Sequence, residues 1–227
     1  MIELKGASKQ YDLGGGATVL ALKGVDLSID RGEFITVMGP SGSGKSTLLH
    51  ILGILDEVDS GAYLLEETDL TTLKDRELSR IRNQFFGFIF QSFNLFGEFN
   101  AIENVMFPLM NAGVRSSERR ERARSLLSQV GLDDRLFHYP NMLSGGEQQR
   151  VAIARSLAND PTFILADEPT GNLPSQQGTE ILAILDALNR DGVTVIMVTH
   201  DDKLGERGTR GVRLRDGEIE SDKRKAG

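Results

Sequence analysis

Apolar and polar positions alternate at the start of the chain, then change period twice. Ile2 to Leu4, Val19 to Ile29 and Glu33 to Met38 alternate or run apolar, broken by glycines at 14 to 16, 24 and 32, which predicts an antiparallel β region. From residue 33 the order becomes strand, glycine loop, helix. Phe34 to Met38 is a short apolar strand and Lys45 to Leu55 a helix of period 3.6. Thr72 followed by Asp75 reads as a capping box opening a helix over Asp75 to Arg82, and Phe86 to Phe90 reads as a buried strand.

Residues 92 to about 150 differ. They predict helices over Ala101 to Met110, Ser117 to Val130 and Glu147 to Ala158 with no strand between them, a helical subdomain inserted into an α/β core. Strand Thr162 to Ala166, helix Ser175 to Asn189 and strand Thr194 to Thr199 then restore the α/β order. Val212 to Glu220 reads as a hairpin turning at Asp216-Gly217, and the polar tail Ser221 to Gly227 as frayed.

Composition adds boundaries. The 227 residues, 39% hydrophobic and 26% charged, bury a large core without staples, and the absence of cysteine excludes disulfides and thiolate metal sites. The opening MIELKGASKQY lacks the apolar core of a secretory signal, and the apolar runs Phe85 to Phe90 and Val193 to Val198 fall far short of the roughly 20 residues of a membrane helix. A net charge of −7 speaks against nucleic acid as a partner.

The chemistry begins at Gly39-Pro40-Ser41-Gly42-Ser43-Gly44-Lys45-Ser46-Thr47, a Walker A pattern between a predicted strand and a predicted helix. Glycines let the backbone curl so that successive N–H groups face a phosphate chain, and the helix N-terminus adds its dipole. In that context Lys45 belongs over the β- and γ-phosphates, and the Ser46 hydroxyl completes a Mg²⁺ shell. Phe163 to Glu168 is an apolar strand ending in two carboxylates. Alone, such a pair is more often a helix N-cap. Beside a phosphate loop, Asp167 is placed to hold Mg²⁺ through water, and Glu168 to orient or deprotonate an attacking water.

Leu143-Ser144-Gly145-Gly146-Glu147-Gln148-Gln149-Arg150 is a second anion-binding pattern, a small residue and two glycines at a helix start. It resembles the signature motif of the ATP-binding cassette (ABC) family, about twenty residues before the acidic strand. The resemblance covers essentially the whole chain. It implies an α/β fold with a P-loop NTPase core, an N-terminal antiparallel β subdomain and the inserted helical subdomain, all within one nucleotide-binding domain over 1–227. It implies that Tyr11 stacks on adenine. Gln91 is the Q-loop glutamine that senses Mg²⁺ and the membrane partner, and His200 contacts the γ-phosphate. Ser144, Gly145 and Gly146 close on the ATP held by a second copy in a head-to-tail dimer.

Within the family the chain is similar to the lipoprotein-release and macrolide-export type of ATPase. Gly87 to Leu95, Glu103-Asn104-Val105 and Ala166 to Asn172 carry that likeness. It implies an integral membrane permease as partner and a place on the inner face of the cell membrane. One position departs: the D-loop, Gly171 to Ser175, has Pro174 where the subfamily usually carries an aspartate that bonds across the dimer. That bears on coupling between the two sites, not on nucleotide binding.

Other features read more plainly. Arg115 to Arg124, interleaved with Glu118 and Glu121, is a solvated helix face, and His50 and His138 lie outside the motifs. Phe93, Phe96, Phe99 and Phe107 are core candidates, with Phe93 and Phe96 expected to line the groove that receives a permease helix. A soluble repair or chromosome ATPase would carry a coiled coil between Lys45 and Gln91, where only 45 residues stand. A translation ATPase would carry two cassettes, and no Asn-Lys-x-Asp for guanine is present. An ATPase whose permease transmits force, as in cell-division signalling, stays open beside an exporter.

Overall fold

The computed structural model describes residues 1–12 and 14–225 and divides into two compact units, Met1–Arg80 with Thr194–Gly227, and Ile81–Val193. In the first unit β1 (Ile2–Asp12) and β2 (Thr18–Ile29) pair antiparallel, and β1 also pairs with β4 (Ser60–Leu65), itself paired with β5 (Thr68–Asp69). Alternation explains the pairing. Ile2, Leu4, Leu22, Leu27 and Ile29 are buried while their neighbours face outward, the period of a half-buried strand.

One expectation about this region is corrected, and one element went unforeseen. The strand over Glu33 to Met38 is not part of the antiparallel sheet: β3 (Phe34–Met38) pairs parallel with β8 (Thr194–Val198) and β9 (Arg210–Arg215). Its residues are buried on both faces, as parallel strands are. The hairpin β4–β5 was not expected at all, because its turn is Glu66-Glu67, two non-glycine residues at φ 47° and 70°. The expected hairpin at Asp216-Gly217 is there, joining β9 to β10 (Glu218–Arg224), with both turn residues at positive φ, 49° and 85°. Strand β10 also corrects the frayed tail as far as Arg224. It is held by Asp222, which accepts from the buried Arg210 guanidinium at 2.7 Å. Residues 226 and 227 lie outside the described residues.

Helix α1 (Lys45–Leu52) stops at Gly53, three residues before the expected end. Helix α2 (Asp75–Phe85) starts without Thr72 as a cap: that hydroxyl donates to the Asp69 carbonyl, while Glu77 accepts from the Lys74 N–H at 3.1 Å.

In the second unit β6 (Phe86–Phe90) and β7 (Phe163–Asp167) run parallel, with Phe90 opposite Asp167. Between them lie α3 (Ala101–Asn111), α4 (Ser116–Gln129) and α5 (Gly145–Ser156), followed after β7 by α6 (Ser175–Arg190). Helix α5 comes near β6 at Gly87, where a Cβ would run into the Ser156 carbonyl of α5 and lie 2.6 Å from Ile164 Cδ1 of β7. Asn104, fully buried on α3, donates to the carbonyls of Phe96, Phe99 and Asn100 and accepts from the Phe96 N–H, which fixes the loop ahead of the helix. A short helix α7 (Asp202–Gly205) follows β8.

Candidate functional site

The first unit carries the phosphate loop. It leaves the C-terminal end of β3 and opens α1, with Gly39, Gly42 and Gly44 at φ 152°, 79° and 99°. Two of these glycines are also sterically required. A Cβ on Gly39 would sit 2.7 Å from Ser43 Oγ, and one on Gly44 3.1 Å from Leu22 Cδ2. The loop is braced from the β9–β10 turn, where the Gly217 N–H donates to the Ser43 carbonyl at 3.1 Å.

Lys45 is 9% exposed, and its ammonium donates to the carbonyls of Gly39 and Pro40, both at 2.9 Å. A buried cation is thus held over a glycine loop by neutral acceptors. The first N–H groups of any helix have no intrahelical partner, and α1 has no side-chain cap to take one of them. Ser43 Oγ is buried without a partner. Unfilled donors, a positive helix end and a cation together fit a polyphosphate.

Two further candidates belong to this unit. Val37 pairs with Val198 in the β3–β8 register, so Thr199 and His200 follow β8 at the strand end from which the loop departs. Thr199 is buried and its N–H donates to the Val37 carbonyl at 3.1 Å, while His200 is exposed.

Tyr11, on β1 opposite Val19, donates its hydroxyl to Asp56 at 2.6 Å. Lys9 completes the group, 2.7 Å from Asp56 and 5.5 Å from the Tyr11 ring centroid. Burial works against charge on Asp56. Hydrogen bonds from Lys9, Tyr11 and the Glu57 N–H outweigh it and hold the carboxyl below the usual carboxylate range. Burial and then Asp56 push the Tyr11 phenol up. Asp56 and Lys9 escaped the sequence reading, because nothing in their spacing ties them to Tyr11.

The second unit brings Gln91, Asp167 and Glu168 to adjacent parallel strand ends. Gln91 follows β6, and Asp167 closes β7 with Glu168 next. Glu168 stands at φ 47°, a left-handed conformation that costs a non-glycine residue about 1–3 kcal/mol and marks functional turns. Gln91 and Asn172 are doubly bonded, Gln91 Nε2 to Asn172 Oδ1 at 3.2 Å and Asn172 Nδ2 to the Gln91 carbonyl at 3.0 Å. Gly171 permits this, since a Cβ there would lie 2.7 Å from Gln91 Nε2.

Ser144 is the N-cap of α5. Its hydroxyl accepts from the Glu147 N–H at 3.3 Å and donates to the Glu147 carboxylate at 2.8 Å, while the Ser144 N–H donates to the same carboxylate, completing a capping box. The Ser144 N–H first, then the Ser144 hydroxyl and Arg135, lower the Glu147 pKa to about 2 against the opposing effect of burial. Gly145 and Gly146 begin the helix. A Cβ on Gly146 would meet Gln177 Oε1 at 2.7 Å, and one on Gly145 would meet Leu173 at 3.2 Å. Pro174 is the N-cap of α6, at φ −56° and ψ 148°, with no side-chain cap. Proline thus leaves α6 without a side-chain cap, where an aspartate would contribute about 0.5–2 kcal/mol.

Comparison with known proteins agrees with this geometry. The ABC transporter family matches residues 22–171. An uncharacterized ABC transporter ATP-binding protein of Thermotoga maritima is 52% identical over 225 residues, 99% of this chain and 96% of the relative. The macrolide export ATP-binding/permease protein MacB of Bdellovibrio bacteriovorus is 50% identical over 224 residues, 99% of this chain, which spans 34% of that longer protein. Among solved structures, the dimeric post-hydrolysis state of the ATP-binding cassette MJ0796, bound to ADP and Pi, matches with a TM-score of 0.92 and 45% identity over the whole of both chains. The chain therefore belongs to the ABC transporter family, as an ATP-binding cassette that hydrolyses ATP.

Proposed function

We propose that this cassette is the motor of a membrane export complex, working as a pair of identical chains docked on a separate permease at the inner face of the cell membrane. The observation that carries the reading is the phosphate loop, with Lys45 buried over a curled glycine backbone at an uncapped helix start. The 50% identity to a protein named as a macrolide exporter supports export. The dimeric form of the cassette 45% identical to this chain supports a self-dimer, in which Ser144, Gly145 and Gly146 face the partner's ATP.

On this reading the backbone of Gly39 to Ser43 and the Lys45 ammonium hold the phosphates, and Thr47 extends the loop into α1. Ser46, Asp167 and Gln91 would hold Mg²⁺, which when bound neutralises charge on the phosphate oxygens. Glu168 orients and deprotonates water, His200 contacts the terminal phosphate, and Tyr11 stacks on adenine. Nucleic acid has no part in this reading. Among the described residues no helix is long and apolar enough to cross a membrane.

The docking surface follows the Q-loop. Phe96, Phe99 and Phe107 cluster with centroids 4.6–6.1 Å apart, and Phe96 keeps 39% exposure. An aromatic anchored from behind and open in front is the usual form of an interface hot spot. Phe96→Ala is expected to weaken association with the permease by about 30-fold or more, the effect of losing roughly 2 kcal/mol at a hot spot, with ATPase activity of the isolated chain within twofold of the parent. Co-purification of an integral membrane protein with the tagged chain, and its loss in the variant, checks both. A tagged chain that brings down no membrane protein from its native host would remove the transport reading.

Tyr11 offers a separate check. Tyr11→Ala is expected to weaken ATP by roughly 1–3 kcal/mol, the range for base–aromatic stacking, while inorganic triphosphate binds as to the parent. Calorimetry with both ligands decides it. Equal losses would place Tyr11 on the phosphates or in the fold instead of on the base.

A further inference from the structure

Gln149 is a fully buried polar side chain that none of the roles above uses. It sits one turn into α5, directly behind the Ser144 cap. Its amide Nε2 donates to the Pro169 carbonyl at 2.6 Å and lies 3.4 Å from the Phe90 carbonyl. These two carbonyls belong to the residues just after Glu168 and just before Gln91. Two acceptors on one side fix which way the amide points, and its Oε1 is left buried without a partner. A core position that leaves an acceptor unsatisfied is unfavourable, and an apolar side chain of the same size would avoid the cost. The donor is kept where the backbone needs it. Glu168 stands in a left-handed conformation, and such strain persists only where surrounding contacts over-determine it. The Pro169 carbonyl is the first polar backbone group beyond that strained residue.

The same helix grips the far side of the Q-loop. Phe93 and Asn94 stand at φ 62° and 49°, and the Arg155 guanidinium donates to the Asn94 carbonyl at 2.6 Å and the Phe93 carbonyl at 3.0 Å. Burial pulls Arg155 down to about 10, so it is still a cation at neutral pH. The strained residues Phe93 and Asn94 are thus tied directly to α5, and Gln149 ties to it the residue that follows Glu168.

We propose that Gln149 is a positioning residue for ATP hydrolysis, holding the Pro169 carbonyl next to Glu168 and the entry to the Q-loop in place from the signature helix. Any movement of Ser144 with its helix is then passed to the same chain's Glu168 through one amide. The inference rests on Glu168 acting as the catalytic carboxylate.

Three variants of the full chain test it. Gln149→Met keeps length and burial but removes the donor. It should lower kcat about tenfold, with ATP affinity, read by calorimetry, within twofold of the parent. Gln149→Glu can donate to Pro169 only when protonated, so its kcat relative to the parent should rise as pH falls from 8.5 to 6. The melting temperature of each variant at each pH separates this from loss of fold, and the pH series serves by itself if Gln149→Met does not fold. In a Glu168→Gln background, Gln149→Met should add no further loss, because the route runs through Glu168. Parental kcat in a folded Gln149→Met, a flat pH ratio in Gln149→Glu, or full additivity in the double variant would each overturn the proposal. Normal hydrolysis by Glu168→Gln alone would instead overturn the assignment of Glu168 on which it rests.

Discussion

Glu168→Gln is expected to bind ATP with the affinity of the parent and to hydrolyse it about 10²–10⁴-fold more slowly, the range for removing a positioned general base. The amide has the shape of the carboxylate, so the left-handed turn at φ 47° and the Gly171 N–H bond to the Glu168 carbonyl at 3.0 Å have no reason to change. The variant gives up only the capacity to take a proton. Slow hydrolysis should then trap the ATP-bound pair, since each ATP stabilises only the closed form by mass action. Gel filtration with saturating ATP and Mg²⁺ should show a dimer for the variant at concentrations where the parent runs as a monomer. Phosphate release measured in single turnover decides the catalytic role directly. A variant that turns over at the parental rate would assign the base elsewhere.

Legibility in the sequence followed the distance over which each feature is decided. The Asp216-Gly217 hairpin was readable because glycine readily adopts, and aspartate tolerates, the positive φ that its turn demands. The hairpin at Glu66-Glu67 was invisible for the converse reason: neither residue signals that geometry, and tertiary pairing of β4 with β1 imposes it. Phe34 to Met38 was correctly a strand but placed in the wrong sheet. Five apolar residues read alike in parallel and antiparallel settings, and its partners, near residues 195 and 210, are remote in sequence. The Thr72 cap failed because its hydroxyl donates back to the Asp69 carbonyl, and the helix start lies two residues later, where the Lys74 N–H donates to the Glu77 carboxylate.

At the candidate site the contrast is similar. Lys45 and Ser46 follow from a local pattern with its own mechanism, whereas Gln91, His200 and Tyr11 were named by family resemblance alone. The contacts that hold them were not foreseen, even where the holding residue, Gln149 or Asn172, stood inside a quoted motif. Asp56 reaches Tyr11 across 45 residues of chain and Gln149 reaches Phe90 across 59, and no periodicity connects such pairs. Supporting contacts of this kind are made by the fold and become visible only with it.

Lys45→Ala is expected to abolish measurable ATP binding at micromolar nucleotide. The Lys45 ammonium is buried and donates to two carbonyls of its own loop, so in the free protein it is already held at the mouth of the loop. A charge-assisted hydrogen bond contributes about 1.5–3 kcal/mol, so removing one such bond lowers affinity roughly 10- to 150-fold. Lys45 would make more than one, to two phosphates, and those bonds would replace its bonds to the Gly39 and Pro40 carbonyls. Removing the side chain also frees those carbonyls and loosens the curl of Gly39 to Gly44, which lowers affinity further by leaving the N–H groups less well arranged. Lys45→Arg separates the two contributions. It keeps the charge, but its planar fork cannot take the position of a compact ammonium between two carbonyls. Affinity should therefore fall for the arginine variant as well, by less than for alanine, while both variants keep a melting temperature near the parent's in the absence of nucleotide. Calorimetric titration with ATP and with ADP checks the ranking. Parental affinity for ATP in Lys45→Ala would remove Lys45 from the phosphate site.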